Sequence, residues 1–393
     1  FFMIRLSICA SPFLRYGFTS FVLLASLAVS SGVAFGQKDA PKDIPIRIGE
    51  KGVPITERMA FHHIPGVSIA LIRDYKLAWI ANFGEASRGR PMSGDTLFQV
   101  GTMGNTLVTS AALRAVQEKK ISLDATINDY LKAWKSPQFP GGRPLTIRDL
   151  LENKSGLIYH KYFGYNPLEP VPTLLQVLNG EKPATTPPTR LTTAPGSTYN
   201  LAAENYVVLQ QAIEDRFGVS YDSVARRLIF DPLSMKRSTF ALTPSDSLRS
   251  QVAVGHGEDG EPLENGWRVY PESAAAGLWT TSRDFAIYLE DFMRSIAGKP
   301  GARILSRENA DLMLKALSVD SDGDEQMMAL GRDGYNNRKY LFRGGNAQGY
   351  YNIFNIRPET GSGILIMTNR NLCWQFANEV RDALALQEKW PGF

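Results

Sequence analysis

Thr102 and Asn105 are the residues of this sequence best placed for chemistry. The run Phe98-Gln99-Val100-Gly101-Thr102-Met103-Gly104-Asn105-Thr106 follows a strand-like segment and opens a long amphipathic helix. A helix start offers free N–H groups and the positive end of the helix dipole, a favourable setting for an activated hydroxyl. Three residues apart, Thr102 and Asn105 share one helix face. Acyl transfer through a hydroxyl needs a neighbouring base and N–H donors for the oxyanion. The amide of Asn105 supplies no base, and the β-methyl of Thr102 restricts its rotamers and crowds an attack path. Neither S-x-x-K nor G-x-S-x-G occurs anywhere in the chain.

Other candidate chemistry is sparse. The four histidines include only one adjacent pair, His62-His63, with no metal-ligand spacing, so no metal is expected. Asp322-Gly323-Asp324 reads as a turn and lacks the ligand ladder of a calcium loop. Lys154 and His160 are the candidate stand-ins for a missing base, each more simply a solvated surface residue. A net charge of +4 over 393 residues, with no basic run, argues against nucleic-acid binding.

The elements that must position Thr102 follow from periodicity. Residues 57–63 read as the end of a helix. Residues 66–72 and 76–81 alternate with β-branched residues around Asp74-Tyr75 and predict a hairpin. Apolar spacing predicts helices over 105–119, from Thr146, over 202–217 and 221–230, and over 283–294 with Ser282 as N-cap. A final helix is expected over 374–388. Strands are expected at 339–343, 350–356 and 362–368, pairing antiparallel, and 161–195 reads as a long loop walling any cleft. Residues 1–36 have the form of a secretory signal: Arg5 and Arg15, an apolar stretch over 18–35, and Ala34-Phe35-Gly36 as a cleavage site. An uncleaved anchor is the alternative, and Met3 is a candidate start. Residues 37–56 read as a flexible lead-in. Cys9 lies in the signal and Cys373 in the body, so no disulfide is expected in the mature chain.

Several of these landmarks, in this order, resemble the penicillin-recognising serine hydrolases: class C β-lactamases, D-Ala-D-Ala peptidases and related esterases. They are Ile64-Pro65-Gly66-Val67, Asp95-Thr96-Leu97-Phe98, the Thr102 motif, Ser155-Gly156-Leu157, Pro195-Gly196, and Ala276-Gly277-Leu278-Trp279-Thr280-Thr281 with Asp284. The resemblance implies an α/β (α+β) fold over residues 57–388. An antiparallel sheet flanked by helices would come from 57–120 and about 250–388, with a mostly helical insertion at about 121–249 and the cleft between them.

The same resemblance shows which side chains are replaced. Thr102 stands where active members carry the nucleophilic Ser, and Asn105 where they carry the Lys. Leu201 stands at the position of the basic Tyr and Ala203 at that of the substrate-orienting Asn, with Tyr199 two residues too early. The third motif reads Arg343-Gly344-Gly345, followed by Asn346. Arg343 keeps a positive charge suited to a carboxylate, and the backbone N–H groups of Thr102 and Asn346 could form an oxyanion hole. The resulting expectation is a secreted or periplasmic, β-lactamase-related protein that is non-catalytic or strongly impaired. It needs no cofactor, and its former active-site cleft takes a small-molecule or peptide ligand of cell-wall or acyl-peptide type at Ala203, Arg343, Gly344, Gly345 and Asn346. The competing expectation is an esterase, amidase or peptidase that uses Thr102 with an unrecognised base.

Overall fold

Alternation along the central strands builds the molecule. The computed structural model describes residues 40–334 and 338–393. The segment read as a signal lies outside them. Before the sheet come β1 (Ile46–Ile48), β2 (Lys51–Val53) and α1 (Ile55–Phe61), then β3 (Gly66–Arg73), β4 (Lys76–Ser87) and β5 (Arg90–Pro91). A short strand β6 (Phe98–Gln99) leads through the 3-10 turn Gly101–Gly104 into α2 (Asn105–Gln117). The middle of the chain holds α3 (Ile147–Leu151), α4 (Leu174–Asn179), α5 (Glu204–Phe217), α6 (Tyr221–Ala225), α7 (Asp231–Leu233) and α8 (Asp246–Arg249). There follow α9 (Ser273–Ala276), β7 (Trp279–Thr280), α10 (Ser282–Ala297) and α11 (Arg307–Met313). Strands β8 (Ser318–Val319) to β10 (Gly331–Arg332), with β9 at Glu325–Gln326, precede β11 (Leu341–Ala347), β12 (Tyr350–Arg357), β13 (Ser362–Thr368) and α12 (Trp374–Gln387).

The nine-stranded sheet has the order β5-β4-β3-β13-β12-β11-β10-β9-β8, antiparallel at every step from β4 to β11. Strands from both ends of the described chain meet at the β3–β13 seam, where Thr368 faces Val67 and Gly363 faces Ile72. Successive residues of a strand point to opposite faces. Ile69 and Leu71 accordingly pack with Phe376 and Val380 of α12, while Ala70 and Ile72 share a core with Phe285 and Leu289 of α10. The layers are helix, sheet, helix, as the resemblance implies.

Several expectations need correction. The segment read as a flexible lead-in carries the β1–β2 hairpin, because Ile44, Ile46 and Ile55 bury against the α12 side of the sheet. The cap of α10 is Thr281, whose hydroxyl accepts from Asp284 N at 3.1 Å, and Ser282 instead touches Ser68 Oγ at 2.7 Å. The long loop contains α4, opened by a Thr173/Gln176 capping box whose x-x spacing is visible in the sequence. The first C-terminal strand starts at Leu341 and runs on through Ala347, past the 343 at which it was expected to end. Cys373 is a buried free thiol. Among the described residues, no helix is long and apolar enough to cross a membrane.

Candidate active-site cleft

Two glycines let the Thr102 turn lie directly on β11. Gly101 has φ +52°, and a Cβ there would sit 2.5 Å from Asn346 O. A Cβ on Gly345 would sit 2.1 Å from Val100 O and 2.3 Å from Met103 N. Strand β10 leaves β11 after Phe342, so the edge from Arg343 onward is covered by the turn. Thr102 Oγ1 donates to Gly344 O at 3.2 Å, and Arg343 Nε donates to Thr102 O at 3.2 Å.

Asn105 ties this pair to α9. Its Nδ2 donates to Ala274 O and Ala275 O at 3.0 and 3.1 Å, and its Oδ1 accepts from Arg343 Nη2 at 3.3 Å. The side chain is 2% exposed and that of Arg343 8%. A neutral amide thus serves as spacer between two carbonyls and a guanidinium. No acidic side chain pairs with Arg343 among the described residues, and hydrogen bonding to two neutral oxygens leaves its charge uncompensated.

These residues line a cavity of about 570 Å³, within the usual size for a small-molecule site, roughly 300–1,000 Å³. Of the residues singled out from the sequence, Thr102, Asn105, Leu201, Ala203, Arg343, Gly344 and Asn346 line it. Gly345 does not: it faces the Thr102 turn and acts as the spacer that lets the turn approach. Asn346 Oδ1 already accepts from Leu372 N at 2.9 Å. Tyr199 stays out of the lining, its hydroxyl buried without a partner and pushed up to about 12 by burial. Of the two stand-in bases, Lys154 lies 3.9 Å from Glu152 and is not in the cavity, whereas His160 lines it.

The start of the loop expected to wall the cleft does line it, through Lys161, Tyr162 and Phe163, but its aromatic character and the preceding Tyr159 were not singled out. Tyr159, Tyr162 and Phe163 line the cavity beside His160, with Tyr206, Phe342 and Leu372. Tyr159, Phe163, Leu201 and Leu372 are exposed at its mouth. The aromatic density of Tyr159 to Phe163 was the available signal. Behind this wall sit two fully buried carboxyls, Glu204 and Glu272. His160 Nδ1 lies 2.6 Å from Glu204 Oε1, to which Tyr162 Oη also donates at 3.2 Å. No group of three or more metal-ligating side chains occurs among the described residues.

A mixed fold with this sheet is that of the β-lactamase and penicillin-binding-protein group. The Beta-lactamase family profile matches residues 55–388, and the chain belongs to that family. It is 23% identical to Penicillin-binding protein 4 of Amycolatopsis lactamdurans, over 81% of this chain and 84% of that protein. It is 31% identical to Esterase EstB of Burkholderia gladioli, over 44% and 45% of the two chains. The octameric penicillin-binding protein homologue from Pyrococcus abyssi superposes with a TM-score of 0.72 at 23% identity, covering 86% of this chain and 76% of that one.

Proposed function

We propose that the chain is an exported, non-hydrolytic member of its family that binds a carboxylate-bearing, acyl-peptide-like ligand in the cleft. One observation carries this reading. The position that would hold the base beside the hydroxyl is an amide fully engaged by Ala274, Ala275 and Arg343. Among the described residues Thr102 Oγ1 has only a carbonyl partner, Gly344 O, which accepts its hydrogen bond and cannot act as a base. Losing the activating group of a hydroxyl nucleophile costs turnover by a factor of roughly 10⁴–10⁶. What remains is recognition: an unpaired guanidinium for a carboxylate and an apolar mouth for an acyl chain.

Covalent labelling tests the chemistry. The protein and a Thr102→Ala control are incubated with a fluorescent β-lactam and an activated acyl ester, and intact mass is read. No adduct is expected on either. An adduct on the wild type alone would make Thr102 a nucleophile and favour the second reading, an esterase, which the 31% identity to Esterase EstB supports.

Binding tests the recognition. N-Decanoylglycine, which joins a carboxylate to an apolar chain, is expected to bind the wild type. Arg343→Gln is expected to weaken it by about tenfold to a hundredfold, the value of a hydrogen bond to a charged group. Arg343→Lys should keep part of the affinity, because charge without the planar fork suffices for one contact. Unchanged calorimetric affinity in Arg343→Gln would remove the carboxylate from the reading.

A further inference from the structure

Glu204 and Glu272 are out of place for carboxylates. Each is fully buried, and among the described residues no Arg or Lys pairs with either. Glu204 Oε2 and both carboxyl oxygens of Glu272 have no hydrogen-bond partner. Burying an ionised carboxylate without a partner is far more costly than protonating it. The Glu204–His160 contact carries the same message. His160 Nδ1 lies 2.6 Å from Glu204 Oε1 but out of line for a hydrogen bond, so the contact supplies the carboxyl no compensating donor.

We propose that Glu204 and Glu272 form a proton-holding site behind the cavity wall that couples anion binding to proton uptake. This inference rests on the carboxylate reading of the cleft. His160 and Tyr162 belong to the cavity lining and touch Glu204, which begins α5 immediately after the lining residue Ala203. Glu272 immediately precedes α9, the helix whose carbonyls hold Asn105. With both carboxyls neutral, the wall adds no charge against a ligand carboxylate at Arg343. With both ionised, two uncompensated negative charges stand behind the same cavity and oppose that ligand. A bound anion in turn favours the neutral pair, so protons are taken from solvent on binding.

The surroundings agree in sign. Burial pushes Glu204 up to about 7 and Glu272 up to about 8, the second also raised by the charge of the first. His160 is shifted down by burial and then by Arg190. Tyr162, Tyr165 and Tyr270 are all raised by burial, Arg268 lies beside Tyr270, and on the cavity side stand Arg343, Lys161 and Glu258. The proton-linked window is therefore the one in which the carboxyls ionise. Affinity is full below it and falls as pH rises through it.

Calorimetry of N-decanoylglycine binding near about pH 8, in two buffers of different ionisation enthalpy, reads the linked protons. Net uptake is expected. The dissociation constant should be about tenfold weaker at about pH 9 than at about pH 6, as Coulomb terms across a protein interior allow. The Glu204→Gln/Glu272→Gln double variant should lose the uptake and hold its affinity flat over that range, and Glu272→Gln alone should reduce both effects. Binding by the wild type at about pH 6 together with no proton uptake on binding at about pH 8 would overturn this inference and leave the carboxylate reading standing. Uptake that persists in the double variant would overturn it equally. Failure to bind at any pH would instead overturn the carboxylate reading, and this inference with it.

Discussion

A Gly345→Ala variant is expected to lose roughly 3 kcal/mol of stability or more, the range of overpacking against an unyielding partner. The new Cβ would sit 2.1 Å from Val100 O, 2.3 Å from Met103 N and 2.8 Å from Met103 Cβ. Two of these are backbone atoms of the turn that carries Thr102, so no rotamer change relieves the contact. Either the turn lifts from β11, breaking the Thr102–Gly344 and Arg343–Thr102 hydrogen bonds, or the strand bends away from β12. Gly344→Ala is the matched control one residue earlier: its nearest neighbour would be Tyr351 Oη at 3.4 Å, an ordinary contact. Urea midpoints should fall sharply for the first variant and little for the second. Equal midpoints would mean that the turn does not depend on its close approach to the strand.

Most of the scaffold was legible because it rests on local rules. The β3–β4 hairpin, α2, α5, α10 and α12 follow from periods of two and 3.6 residues. The ordered landmarks then placed Thr102, Asn105, Leu201, Ala203, Arg343 and Asn346 around one cavity, where the structure has them. What stayed illegible depends on contacts distant in sequence. Gly345 read as part of a ligand-binding triplet, but its smallness is needed by Val100 and Met103, more than 240 positions earlier. Asn105 read as a vacancy left by a lysine. Its function as a hydrogen-bonded spacer appears only once Ala274, Ala275 and Arg343 converge on it. Glu272 gave no signal at all, because a glutamate in a Pro-Glu-Ser loop looks solvated until α9 and α5 close over it. The β1–β2 hairpin was missed because the alternation Ile44, Ile46, Ile48 is short and interrupted by Pro45, and the partners of Ile44 and Ile46 lie on α12.

Asn105→Lys, the substitution that would reinstate a lysine beside the hydroxyl, is expected to destabilise the protein by about 2–4 kcal/mol rather than restore activity, as an unpaired buried charge does. The site is 2% exposed, and among the described residues the only cationic side chain contacting Asn105 is the Arg343 guanidinium, 3.3 Å from its Oδ1. A lysine there removes that acceptor and sets an ammonium against a guanidinium, and among the described residues no carboxylate contacts Asn105 or Arg343 to compensate. The carbonyls of Ala274 and Ala275 can accept from the ammonium, which bounds the cost but leaves the repulsion. The mechanism has a specific signature: in an Arg343→Gln background the Asn105→Lys penalty should shrink by more than about 1 kcal/mol, a coupling expected of direct neighbours. Additive penalties across the four proteins of the cycle would mean that the two positions do not share their electrostatics. Asn105 is neutral, on this argument, because the buried positive charge that this cleft tolerates is already held on β11, where it faces a ligand rather than a nucleophile.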